Sequence, residues 1–188
     1  MLYELQSIEK LIKLNDIEME KIVKKSNALK KSGIKVENIK PDIRRWLAEE
    51  LMNGFGSTSE FIVAGACYDA AAYVLHLLHP DLITLSHLEN ISGQHWPDFF
   101  DQNFEYKRLW KGTIIEKGNM VIFHRDGKPF HGAIAVGGTC IRAVNGGRLG
   151  AGWDLVDLKT VLKERLSSGA YKYEKEKVKV WIYSRSVI

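Results

Sequence analysis

The sequence predicts an α+β fold, with helices in its first half and an antiparallel sheet in its second. Two observations carry this. Up to residue 78 the apolar residues recur at helical spacing, and after Gly118 they fall into short runs separated by glycine-bearing turns. A chain of 188 residues with 45% hydrophobic content is long enough for one well-cored domain, and nothing in its composition calls for disorder.

Leu2, Leu5, Ile8, Leu11 and Ile12 are spaced for a helix over residues 2–14. Asn15 and Asp16 end it and cap a second helix carrying Ile17, Met19, Ile22, Val23 and Leu29, which Gly33 stops. Residues 1–40 are therefore expected to form an N-terminal helical extension, and residues 41–188 the main domain. Lys24, Lys25, Lys30 and Lys31 are the solvated face of the second helix, with docking to an acidic partner or a membrane surface as the other use of such a stripe. Pro41 and Asp42 open a third helix, with Trp46, Leu47 and Leu51 on one side and Asn53-Gly54 at its end. Residues 67–78 form an almost wholly apolar helix, closed by His79-Pro80-Asp81. An extended segment is expected over residues 82–88, then a polar, aromatic loop over residues 94–100. Strands follow at residues 120–124, 130–136 and 139–144, with a turn at Asp126-Gly127. A glycine loop leads to Trp153, Asp157 caps a helix running to residue 166, and residues 178–183 make the last strand. The alternating Lys175, Lys177 and Lys179 read as the solvent side of an edge strand.

The net charge of +4 is a weak nucleic-acid signal, so no nucleic-acid partner is expected. Glu4, Glu9 and Lys10 interrupt the apolar N-terminus, so neither a secretory signal nor an integral membrane segment is expected, and the chain is read as made in the cytoplasm. Two cysteines exclude a disulfide scaffold. His76 and His79 lie one helical turn apart, but no His-Glu-x-x-His spacing or cysteine pair supports a metal site, and neither metal nor cofactor is expected.

The residues that carry chemistry are Cys67 and His131. Cys67 follows small residues at the start of an apolar helix, where unpaired backbone N–H groups favour a thiolate and stand ready to donate to an oxyanion. His131 lies downstream on a strand. A thiol hydrolase needs a thiolate, an imidazole to protonate the leaving group, and a polar group to orient the imidazole. The third member depends on a turn. With Gly137, Gly138 and Thr139 all in the turn, His131 faces Asn145; with only Gly137 and Gly138 there, the register moves by one and Asp154 or Asp157 takes the role. Gln94 and Trp96 in the aromatic loop, and Trp153 after the glycine loop, are the candidate substrate contacts.

This order of elements, over residues 65–153, resembles the papain-like superfamily, which includes NlpC/P60 hydrolases and the cysteine protease and glutamine deamidase effectors of pathogenic bacteria. The resemblance implies a helix carrying the cysteine packed on an antiparallel sheet, with residues 41–188 as the catalytic domain. It assigns Cys67 as nucleophile, His131 as general base and acid, and Asn145 as orienter. Unlike papain, the chain has no Gln shortly before Cys67, which leaves Asn53, Ser57, Gln94 and the Cys67 N–H for the oxyanion hole. The implied function is hydrolysis of an amide bond in a protein or peptide, by an effector or toxin carried into another cell by a specialised secretion route. A peptidoglycan amidase or endopeptidase, and a noncatalytic binding module on the same fold, are the alternatives.

Overall fold

The computed structural model describes residues 41–54 and 67–185; the expected helices before residue 41, the loop after Gly54 and Ser57 lie outside these residues. Five helices are described: α1 (Pro41–Asn53), α2 (Cys67–Leu78), α3 (Leu85–Asn90), α4 (Trp96–Asn103) and the single turn α5 (Leu158–Val161). Seven strands form one antiparallel sheet: β1 (Tyr106–Leu109), β2 (Met120–Arg125), β3 (Lys128–Gly137), β4 (Cys140–Val144), β5 (Gly152–Asp157), β6 (Tyr171–Tyr173) and β7 (Glu176–Ser184). Their order is β1-β7-β2-β3-β4-β5, with β6 also paired to β7. The fold is α+β.

The central part of the sheet is buried on both faces. On one, Met120, Ile122, Ile134, Val144 and Tyr183 pack under α1, α2 and α4. On the other, Val121, Phe123, Ala133, Ala135, Ile141 and Ala143 pack beneath Trp110, Leu149, Leu158, Tyr171 and Tyr173. The central element is α2, whose residues from Tyr68 to Leu77 are all buried. A helix apolar all round belongs inside a protein rather than on its surface.

The sheet takes the end of α1. The Arg142 guanidinium donates from Nε to the Met52 carbonyl (2.8 Å) and from Nη2 to that of Asn53 (2.9 Å), while Trp153 Nε1 donates to Leu51 (2.7 Å). Carbonyls at the helix terminus are thus satisfied by β4 and β5, that of Leu51 also by the Gly54 N–H at 3.0 Å. Gly54 follows with φ of +81°, and a Cβ there would stand 2.5 Å from the guanidinium, so both backbone and space require glycine.

Several expectations change. Residues 85–90 are helical, because Thr84 and His87 make a reciprocal capping box. Residues 96–103 are also helical, opened by Pro97 in the first turn. Asp157 does cap a helix, accepting from Lys159 N–H at 3.0 Å, but the helix stops at Val161. The segment after the glycine loop is strand β5, which pairs along β4. Lys177 and Lys179 face solvent, yet β7 lies between β2 and β1, so it is no edge strand.

Candidate functional site

Cys67 is the first residue of α2. The backbone N–H groups of Gly132 on β3 and of Tyr68 and Cys67 at the start of α2 favour its thiolate. Burial outweighs them and, with Asp69 nearby, pushes the thiol above its ordinary value. The resting group is therefore a protonated thiol, contrary to what the helix start alone suggests. Gly132 lets α2 lie close on β3: a Cβ on it would run into the Tyr68 ring and stand 2.8 Å from Met120 Cε. A glycine inside a strand marks such a close approach, and this is the signal in the sequence that would have singled out Gly132.

His131 sits one residue away and faces the other side of the sheet. Its ring lies in the second core, 5.4 Å from the Phe123 ring centroid, with Nε2 donating to the Leu149 carbonyl at 3.3 Å. A Cβ on Gly146 would collide with the same ring. Burial pulls the imidazole down to about 4, so it is neutral at pH 7. The expected Cys67–His131 pair is not brought together here, because adjacent strand residues point to opposite faces and Gly132 occupies the face beneath α2.

The register follows neither of the two expected turns. Only Gly138 and Thr139 form the turn, with Gly137 opposite Cys140; a bulge then shifts the ladder to Ala135 opposite Ile141 and Ile134 opposite Arg142. The ladder ends at Ile134 and Arg142, so neither His131 nor Asn145 is paired on it. Asn145 itself is exposed, with φ of +58°, at the turn that leaves β4. Asp154 accepts from the Ala151 and Gly152 N–H groups at 3.2 and 3.0 Å, and Asp157 accepts from Thr139 Oγ1 at 2.6 Å. Asp154 is committed to its own turn, and Asp157 to capping α5 and to Thr139 across the sheet.

Of the expected substrate contacts, Gln94 is exposed on the turn before α4. Trp96 is fully buried, donating Nε1–H to Asp69 at 2.7 Å. Trp153 is also buried: it is the extra residue of a bulge between β4 and β5, held at φ of +65° with its indole N–H on Leu51. These two rings are core and anchoring groups, not a substrate wall, since their burial leaves no face for a ligand. Asn53, a candidate for the oxyanion hole, accepts from Lys117 Nζ at 3.2 Å. His76 and His79 do not converge: His76 is buried with Nδ1 on the Ile83 carbonyl, whereas His79 lines a separate cleft. Among the described residues, no group of three or more His, Cys, Asp and Glu is placed to hold a metal. No described helix is long and apolar enough to cross a membrane.

No protein-family model matches the chain, and no curated protein matches it.

Proposed function

We propose that the protein is a papain-like thiol hydrolase acting on an amide bond, with Cys67 as nucleophile, His131 as general base and acid, and Asn145 as orienter. One observation supports this reading above others: the thiol opens the central helix, where backbone N–H groups, one of them on the residue that follows His131, favour its thiolate. In the reaction, the Cys67 thiol loses its proton to the imidazole and attacks the carbonyl carbon. The tetrahedral oxyanion collapses as the imidazolium protonates the departing nitrogen, and water then hydrolyses the thioester. Cleavage of a peptide and deamidation of a glutamine share these steps. A bacterial effector or toxin modifying a protein of another cell remains the role this chemistry fits.

The reading requires the imidazole to reach the α2 face. A bulge supplies the means: Phe123 pairs with His131 and His124 with Pro129, so Phe130 is the extra residue and lies with His131 opposite Phe123. Moving the bulge one residue along β3 would set His131 and Gly132 together opposite Ile122, on the face of Cys67. The described arrangement is then the resting form.

The placement of His131 favours a second reading, a noncatalytic binding module in which Cys67 is a core thiol. Mass spectrometry separates them. Wild type and Cys67→Ala are incubated with a peptide library containing glutamine, and new termini and losses of ammonia are scored. The hydrolase reading expects products from wild type alone; a wild type that makes no more product than Cys67→Ala refutes it.

A further inference from the structure

At the other end of α2 a cleft of about 570 Å³ opens between Arg45 of α1, Leu78 and His79, the segments leading into β1 and β2, and Arg185 after β7. That volume is within the range that holds a small ligand. Eleven helical rises, about 17 Å, separate it from Cys67.

Its floor is apolar, from Leu78 and Phe104, and Gly118 keeps it open: φ there is +86°, and a Cβ would crowd Leu78 Cδ1 at 3.0 Å. Its walls carry cations in three states of commitment. Lys117 is held by Glu49 and Asn53. Arg185 gives Nη2 to Asp81 at 2.5 Å, which fixes the guanidinium, and its other N–H groups make no hydrogen bond among the described residues. Arg45 makes no ion pair among the described residues, and it and Arg185 both lie close enough to disfavour a charge on His79. The His79 ring, half-buried, makes no hydrogen bond among the described residues. Glu105 and Glu116 also line the cleft, Glu105 near enough to Arg185 to favour its charge.

We infer that this cleft binds a small organic anion, its carboxylate or phosphate between Arg45, Arg185 and His79 and its apolar body over Leu78 and Phe104. Arginine suits the anionic end, because its planar fork matches carboxylate and phosphate oxygens. Glu105 and Glu116 restrict the site to ligands with one compact anionic end, since a second negative group would lie against them. The site is independent of the Cys67 chemistry and stands or falls without it.

Isothermal titration with benzoate, and with inorganic phosphate as a bare anion, tests this, using sodium chloride at matched ionic strength as control. The His79 Cε1–H resonance is followed in parallel. Saturable binding of benzoate is expected, with a shift of that resonance and a loss of tenfold or more in affinity in Arg45→Gln. Arg45→Lys, which keeps the charge without the fork, should lose less. Phosphate should bind more weakly than benzoate, because it leaves the floor uncovered. Shifts that grow linearly and are matched by chloride would overturn the inference. So would saturable binding that Arg45→Gln leaves unchanged.

Discussion

Acidification should cost the fold stability through His131. Burial in the second core takes its imidazole from 6.5 to about 4, with only the Leu149 carbonyl favouring the proton. The folded state thus resists a charge that the unfolded chain accepts, so stability is complete above the unfolded value and falls as pH drops from about 6.5 towards 4. At about 1.4 kcal/mol per pH unit, the loss over that window is on the order of 3 kcal/mol, a large part of a small domain's total. Urea unfolding of wild type and His131→Leu at pH 7.5, 6, 5 and 4 measures it. Other groups titrate in both proteins, so the difference between the curves carries the result. Leucine removes the proton site and the Leu149 bond together, but that bond contributes a constant offset. Wild type should lose about 3 kcal/mol more than the variant on acidification. Parallel curves would refute the buried, neutral imidazole, and a wild type that gains stability towards pH 6 would place His131 beside an anion instead.

Gly146→Ala should cost about 1–3 kcal/mol through collision with the same ring, and His131→Ala should recover part of that loss in the double variant, read by chemical denaturation. Arg142→Met keeps the apolar stem but leaves the Met52 and Asn53 carbonyls without their donor; it should cost about 2–4 kcal/mol, and hydrogen exchange should show α1 fraying first. Burial raises both thiols, so iodoacetamide should label Cys67 and Cys140 slowly at pH 6 and progressively faster towards pH 9. A labelling rate at Cys67 that is already at plateau below pH 7, and that His131→Ala abolishes, would instead reveal the thiolate–imidazolium pair.

The helical spacing in α1 and α2 and the turn glycines around β2, β3 and β4 were enough to read those elements from the chain. Helix α3 was hidden because its capping box uses His87 where Glu or Gln is the usual signal. Strand β5 was hidden by its glycine-rich approach and by the bulge at Trp153, which breaks the alternation. The facing of His131 was illegible for a different reason. Strand β3 is buried on both sides, with Ala133 and Ala135 on one and Ile134 on the other, so no polar and apolar alternation says which side receives the helix. Register was not readable: the turn at Gly138 and Thr139 and the bulge near Gly137 have no signature beyond a pair of glycines, and they give neither of the two turns the sequence suggests.

The grip of Arg142 on the end of α1 also bears on how the chain is made. Ninety residues separate Arg142 from Met52, so the cap for the first described helix is synthesised long after the helix itself. At ribosomal rates of about 5–20 residues per second, that interval is on the order of 5–20 s. During it α1 has its own hydrogen bonds but no Arg142 for the Met52 and Asn53 carbonyls, and its buried Ala48, Leu51 and Met52 have no sheet to cover them. Capping of α1 is thus a late, long-range event that waits on β4, whereas its apolar face can already pack on α2 once residue 78 has emerged.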